Sequence, residues 1–329
     1  MVDWAGHDGT ATSRRYRAMA ERQLHGVSPS YERLCRGAAD DAELIAHLDS
    51  LPAPKRQPNL LLASVRFLDG PVDSYPAFRA FVLSRWDEVA ATLRARRTQT
   101  NEPRRCATLL PALAALPQPL ALLEVGASAG LCLYPDRYAY RYDDAPQLGS
   151  SPVVFDCRVT GPAPLPAVLP SIVWRAGLDL SPLDVGNDED VRWLTSLVWP
   201  EQRDRFDTLR RAVELAREQP AAIHRGDLTT DLATLALAAP AQATLVVFHS
   251  AVLAYLDDEQ RSAFRREVAA IAARRPTVWL SNEGPGVVVD RPAPAGFVPF
   301  VLARDGYPLA ETSPHGEWLN WFDQPSRRE

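Results

Sequence analysis

The residues best suited to chemistry lie in one segment, Leu120-Ala121-Leu122-Leu123-Glu124-Val125-Gly126-Ala127-Ser128-Ala129-Gly130-Leu131, where an apolar run enters a glycine-rich turn. Such a turn lets the backbone pass close to a ligand, and the amides that open a following helix hold polar or anionic groups. Three readings fit these letters. Glu124, Gly126, Ser128 and Gly130 match a strand that ends in an acid and continues into a G-x-G-x-G-like loop, the arrangement of an S-adenosylmethionine pocket, with Ser128 in the central place. The same residues match a G-x-S-x-G nucleophile elbow with Ser128 as the attacking hydroxyl of a serine hydrolase. The third reading is a tight turn whose small residues only permit close packing. A dinucleotide site is disfavoured because G-x-G-x-x-G needs a different glycine spacing.

Context weighs these against one another. An elbow serine sits in mid-sheet behind a glycine-rich oxyanion segment, whereas the 119 residues before this strand read as helical and carry no such segment. Later apolar runs end in groups that a nucleoside pocket needs. Asp179 follows Ile172–Leu178 and suits a ribose hydroxyl pair, Asp227 follows Ile223 and suits an exocyclic adenine amine, and His249 follows Val246–Phe248 and would face the reacting methyl. Each alone is ordinarily a cap or turn residue; their order along one sheet is the argument, since ligands bind at the carboxyl ends of such strands. His249 is the first candidate base, because an imidazole titrates near neutrality, and Glu283 at the end of the next run is the second. Two other classes stay open. A hydrolase would join Ser128 to His249 or His315 and to Asp227 or Asp290, and a non-catalytic nucleoside- or cofactor-binding protein would keep the pocket without an acceptor site.

The elements that must position these groups show in the hydrophobic pattern. Before residue 119, apolar residues recur at helical spacing, most clearly Phe78, Phe81, Val82, Trp86, Val89 and Leu93, with shorter patterns at Tyr16–Gln23 and Asp41–Leu48 and a connection marked by Pro52, Pro54 and Pro58. After it, Leu120–Val125, Ile172–Leu178, Ala243–Phe248 and Thr277–Leu280 read as buried strands, alternating with helical patterns at Asp188–Trp199 and Asp257–Arg275, the latter opened by an Asp257/Gln260 capping box. Alternation of this kind predicts an α/β protein with parallel strands and helices on both faces of the sheet. The domains expected are a helical region over 1–119, acting as a lid with substrate contacts at Asn101, Glu102 and Arg105, and a sheet domain over 120–329. A hairpin is expected near 138–159, with the alternating Tyr138, Tyr140 and Tyr142 presenting one face and Tyr140 as a substrate contact, and two further strands are expected around Asp305-Gly306 within Phe297–Phe322. His315, Trp318 and Trp321 would close the rim, and Asp136 would pair with Arg137.

Composition bounds the partners. The 329 residues are 46% hydrophobic and 23% charged, which excludes wholesale disorder and fibrous classes. A net charge of -5 offers no broad cationic surface, so no nucleic acid is expected. Cys35, Cys106, Cys132 and Cys157 have no C-x-x-C spacing and read as buried free thiols, and the six histidines add no short metal-ligand spacing, so no metal is expected. Met1–Asp8 have neither the cationic start nor the apolar core of a signal peptide, and Leu109–Gly130 is broken by Pro111, Pro117, Pro119 and Glu124, so no membrane span is expected. A cytoplasmic protein acting on a small-molecule substrate is the working expectation.

The chain resembles the bacterial family known as domain of unknown function 2332, on Gln99-Thr100-Asn101-Glu102 with Arg105, Glu124–Leu131, Asp136-Arg137-Tyr138-Ala139-Tyr140, Trp174–Asp179, Arg225-Gly226-Asp227, Phe248–Leu256 and Ser281-Asn282-Glu283. The carboxy-terminal part of that family looks like a Rossmann-like class I S-adenosylmethionine-dependent methyltransferase. The resemblance implies cofactor contacts at Gly126, Ser128, Gly130, Asp179 and Asp227, extended by the strand-end reading to Glu124 and His249. Ser128 stands where a central glycine is usual, and about 50 residues separate the loop from Asp179 where roughly 20 would serve in a simple βαβ unit. The inserted hairpin would absorb the excess.

Overall fold

The computed structural model describes residues 10–99, 101–292 and 298–323; Met1–Asp8, Thr100 and Phe297, on which expectations above partly rest, lie outside the described residues. In chain order the helices are α1 (Ala11–Met19), α2 (Pro29–Asp40), α3 (Ala42–Asp49), α4 (Pro58–Phe67), α5 (Tyr75–Ser84), α6 (Trp86–Ala95), α7 (Arg105–Ala114), α8 (Asp188–Ser196), α9 (Arg203–Glu218), α10 (Leu232–Ala236) and α11 (Asp258–Ala272). The strands are β1 (Leu120–Val125), β2 (Ala139–Tyr142), β3 (Val154–Thr160), β4 (Ile172–Asp179), β5 (Ala222–Arg225), β6 (Thr244–Ser250), β7 (Thr277–Glu283), β8 (Phe300–Arg304), β9 (Tyr307–Thr312) and β10 (Trp318–Trp321). The chain forms two compact units, one of residues 1–100 with 187–210 and one of 101–186 with 211–329. The first unit therefore ends before α7 rather than at residue 119, and it takes in α8 from the middle of the chain.

The helical unit follows its apolar spacing with two differences. The long stripe from Phe78 to Leu93 is divided between α5 and α6, because Arg85 (φ -119°, ψ 31°) leaves helical geometry between them; Phe78 and Val82 are buried from one helix and Val89 and Leu93 from the other. Pro58 opens α4 instead of belonging to a connection. Proline suits the first helical position, where its missing N–H costs nothing, and six consecutive residues behind it, Leu60–Val65, are buried. Asp41 caps α3 by accepting from the amides of Glu43 and Leu44. Within this unit Arg66 donates to the carbonyl of Ser196, and the Trp193 indole donates to that of Arg97.

The sheet unit is mixed α/β around one ten-stranded sheet, ordered β2-β3-β10-β9-β8-β7-β6-β1-β4-β5. Five strands, β5-β4-β1-β6-β7, run parallel. Ranked by their order in the chain they read 3-2-1-4-5, so the direction of winding reverses between β1 and β6, the kind of crevice in which open α/β sheets bind ligands. Side chains alternate across the strands. Ala121, Leu123 and Val125 join Leu245, Val247 and Trp279 in one core covered by α10 and α11. On α11 the expected capping box is present, with the Asp257 side chain and the Gln260 side chain each accepting from the other's amide. Leu120, Leu122 and Glu124 point to the opposite face. Helix α7 lies against β3 and β8 and is buried along Arg105–Leu113, as a helix apolar on all sides must be.

The insert after β1 is not a hairpin. β2 and β3 pair in parallel, Ala139 opposite Val154, and β3 pairs in parallel with β10 at the far edge of the sheet. Antiparallel strands need only a tight turn, but residues 143–153 form a connection long enough to return the chain to the same end. Two strands flank Asp305-Gly306 as expected, and β10 adds a third. No helix among the described residues is long and apolar enough to cross a membrane.

Candidate functional site

The glycine-rich loop leaves β1 through three left-handed residues, Gly126 (φ 67°), Ser128 (φ 53°) and Gly130 (φ 71°). Glycine adopts this region freely, whereas serine does so at a cost that its surroundings must offset. They do so through Asp179, whose Oδ2 accepts from the Ser128 amide at 2.8 Å and whose Oδ1 accepts from the Ser181 amide at 2.7 Å. The Ser128 carbonyl accepts from Leu183, and the Asn101 side chain accepts from the Leu131 amide at 2.8 Å. The two glycines also make room for neighbours. A Cβ at Gly126 would stand 2.4 Å from Val252 Cγ2, and one at Gly130 would stand 2.6 Å from Ile223 Cδ1. Close packing therefore accounts for part of the glycine pattern.

No long helix follows the loop. A three-residue 3-10 turn, Leu131–Leu133, ends at Tyr134, because Pro135 disfavours helical geometry in the residue before it. The expected row of helix amides is thus replaced by the side chains of Asn101 and Asp179, both fastened to the loop.

At the end of β1 stands Glu124, 3% exposed, with Gly177 and Phe248 as its cross-strand partners. Its Oε2 has no hydrogen-bond partner. Burial pushes its carboxyl well above the ordinary range, the Cys132 thiol and Asp179 push the same way, and Arg105 pulls against them. Arg105, 7% exposed at the start of α7, donates from Nε to the Pro314 carbonyl at 2.8 Å and from Nη1 to the Ser250 carbonyl at 3.1 Å, with its guanidinium 5.6 Å from the Phe300 ring centre. Glu102 accepts from the Arg104 amide and lies 3.8 Å from His315 Nδ1. Asn101, Glu102 and Arg105 thus belong to the sheet unit itself and not to a helical lid.

Three candidates from the sequence turn out to be enclosed. His249 is on the core face of β6 with no exposed surface: Trp279 Nε1–H donates to its Nε2 at 2.9 Å, and its Nδ1 is 2.7 Å from Glu283 Oε1. The first contact makes Nε2 an acceptor, so the neutral ring carries its proton on Nδ1 and donates it to Glu283. Glu283 Oε1 also accepts from the amides of Val252 and Leu253 at 2.7 and 3.0 Å. Burial would raise the Glu283 carboxyl, but the hydrogen bonds from His249 and the two amides outweigh it and hold the group below its ordinary range. The expectation that His249, or Glu283 behind it, meets a reacting methyl as a base is corrected: the alternation of β6 turns His249 toward α11, and both ring nitrogens are committed. For the same reason His249 is not a base for Ser128.

Tyr140, expected to contact substrate, is fully buried; its hydroxyl donates to the Pro135 carbonyl at 2.7 Å and its ring stacks on Tyr142. Asp227 is partly exposed and forms a turn, its Oδ1 accepting from the amide and the hydroxyl of Thr229. Asp136 pairs with Arg175, not with Arg137, which reaches Glu218. The sequence reading missed a buried polar chain in which Thr312 donates to Asn282 Oδ1 at 2.7 Å and Asn282 Nδ2 donates to Ser250 Oγ at 3.1 Å. Its only signal was Asn282 between two other polar residues at the end of an apolar strand.

One end of the sheet therefore collects Asp179, Ser128, Glu124, Arg105, Asn101 and Glu102. On chemistry this set fits a nucleoside with a polar tail. Glu124 has an oxygen still to be bonded, and Asp179 fixes the loop beside it. Among the described residues no three His, Cys, Asp or Glu side chains are grouped to hold a metal ion. A family model described as an uncharacterized protein conserved in bacteria (DUF2332) matches residues 13–321. No curated protein matches the chain.

Proposed function

The chain belongs to the bacterial family DUF2332, uncharacterised by its own description, and on that premise we propose that its sheet unit binds S-adenosylmethionine and directs methyl transfer to an O, N or S nucleophile of a small molecule. The observation that carries this reading is the reversal of strand order between β1 and β6, which gathers the left-handed loop, Asp179 and the unsatisfied Glu124 at one strand end. We read the sheet accordingly as Rossmann-like and of the methyltransferase type. The cofactor supplies an already activated methyl, so the protein has mainly to align donor and acceptor and to keep water out.

Asp179 holds the ribose hydroxyls while its bonds to the Ser128 and Ser181 amides fix the loop and its own turn. Asp227, at the end of β5, borders the base. Glu124 and Arg105 face the polar tail and the acceptor side. With His249 and Glu283 enclosed, the proton of a protonated acceptor falls to the Glu102–His315 pair, whose histidine side chain is 41% exposed.

Calorimetric titration with S-adenosylmethionine and S-adenosylhomocysteine tests the reading. Micromolar binding by the wild type, lost in Asp179→Asn and kept in Asp156→Asn on the distant strand β3, is the expected result. Absence of binding to either ligand at millimolar concentration would refute it.

A further inference from the structure

The helical unit holds a cavity of about 300 Å³, at the low end of the range for small-molecule sites. Arg15, Met19 and Arg22 line it at steps of four and three, the spacing of one helix face. That face does not stay α-helical. After Met19 the chain passes into a π turn, Ala20–Leu24, a rare geometry that recurs at functional positions and here carries Arg22 and Gln23. Gln57, Pro58 and Asn59, where α4 begins, contribute a second wall.

The polar side chains of this cavity have donors to offer and few acceptors. The Trp199 indole can only donate, and it holds Asn59 Oδ1 at 3.1 Å, so the unbonded end of that amide is Nδ2. Gln57 Oε1 accepts from the Thr98 hydroxyl at 3.0 Å and its Nε2 donates to the Pro54 carbonyl at 3.1 Å, which leaves it one N–H. Gln23 can turn its amide either way. No Asp or Glu is among the described residues that line the cavity. Arg17, Arg36, Arg56 and Arg79 of the same unit each meet a carboxylate, whereas Arg15 and Arg22 form no ion pair with any described residue. In a chain of 36 basic and 41 acidic residues, two unpaired arginines on one cavity are not the by-product of surplus positive charge.

We propose that this cavity binds the phosphate group of a small phosphorylated molecule, held by the guanidinium groups of Arg15 and Arg22 with the free amide N–H groups of Asn59 and Gln57. A carboxylate has two oxygens, which one guanidinium already fills with two parallel bonds. A phosphate monoester brings three acceptor oxygens and a charge near -2, enough for two guanidiniums and an amide together. The Met19 and Pro58 side chains are left to border the body of the molecule. The site lies within the helical unit, and the inference does not depend on methyl transfer.

The experiment titrates the full chain by calorimetry with glycerol 3-phosphate, inorganic phosphate and succinate at matched ionic strength, and follows thermal unfolding in the same solutions. Glycerol 3-phosphate should bind the wild type at one saturable site and raise its unfolding midpoint, since a ligand of the folded state stabilises it. Arg15→Gln and Arg22→Gln should each weaken that binding about tenfold to a hundredfold, the effect of one charge-assisted hydrogen bond. Arg94→Gln, at an exposed position of α6, removes the same net charge away from the cavity and should leave affinity nearly unchanged. Asn59→Asp keeps an oxygen for the Trp199 indole but puts negative charge where a donor stood; it should weaken binding at least as much as the loss of one arginine. Inorganic phosphate bound as tightly as the ester would make the free ion the ligand, and tighter binding of the ester would show that the body contributes; either supports the proposal. Absence of binding by both at millimolar concentration would overturn it, as would succinate binding as tightly as the ester or an equal loss in Arg94→Gln. Should Asn59→Asp fail to fold, the two arginine variants, both at exposed positions, carry the test.

Discussion

Two buried glutamates end neighbouring parts of the same parallel sheet, and the protein treats them in opposite ways. Glu283, at the end of β7, gathers His249 and two backbone amides on one oxygen and is held below its ordinary range. Glu124, at the end of β1, has an oxygen without a donor and is pushed well above that range, burial being the largest cause. Both sit at strand ends and both are almost without exposed surface. A buried acid that closes its hydrogen bonds within the chain is part of the structure, whereas Glu124 leaves one oxygen without a donor. Sequence alone put His249 first and Glu283 second as candidate bases, beside Glu124 and Arg105 as ligand contacts; the structure encloses the first two, and the proposed function rests on the other two.

The strongest way to break the comparison is to remove Glu283. Glu283→Ala leaves His249 Nδ1 and the amides of Val252 and Leu253 without their partner, and it should cost about 3–5 kcal/mol of folding stability in urea titration. Glu124→Ala removes no such bonds, so a comparable loss there would show that Glu124 is as structural as its counterpart.

Titration sharpens the contrast. A carboxyl raised in the folded state is protonated there while the unfolded chain has already lost its proton, so stability falls as pH rises above the ordinary value of 4.5. Urea midpoints of wild type and Glu124→Gln should therefore diverge above that pH, with the wild type losing up to about 1.4 kcal/mol per unit relative to the variant until the folded group itself ionises. For Glu283 the sign reverses. Its contribution is present above 4.5 and is lost as pH falls through the depressed folded value, so wild type and Glu283→Gln should converge in acid. Slopes of the same sign for the two glutamates would end the distinction.

Asp257 sets the small end of the scale. It is an exposed acid bonded to one amide at the start of α11, and Asp257→Ala should cost about 1 kcal/mol in the same titration.

Much of this was legible in the sequence because it depends on neighbours along the chain. The capping box at Asp257 and Gln260 needs only a spacing of three, and the strands β1, β4, β6 and β7 announce themselves as short apolar runs between turn residues. The left-handed turns at Gly126 and Gly130 follow from local backbone freedom. Which carboxylate meets which amide does not. Asp179 reaches Ser128 across 51 positions, and Glu283 reaches His249 across 34. The strand order and the parallel pairing of β2 with β3 are likewise set by contacts between distant segments, so a hairpin was the simplest reading of a pattern that in fact forms two parallel strands at one edge of the sheet.

The sequence by itself determined that an acid, a glycine-rich loop and a set of strand-end polar residues would be present, since composition and local periodicity carry that much. Only the tertiary structure decided which of them are spent. A side chain's protonation, access and remaining hydrogen-bond capacity depend on groups packed against it from other elements, and those groups are chosen when the sheet closes, not when the residues are written in order.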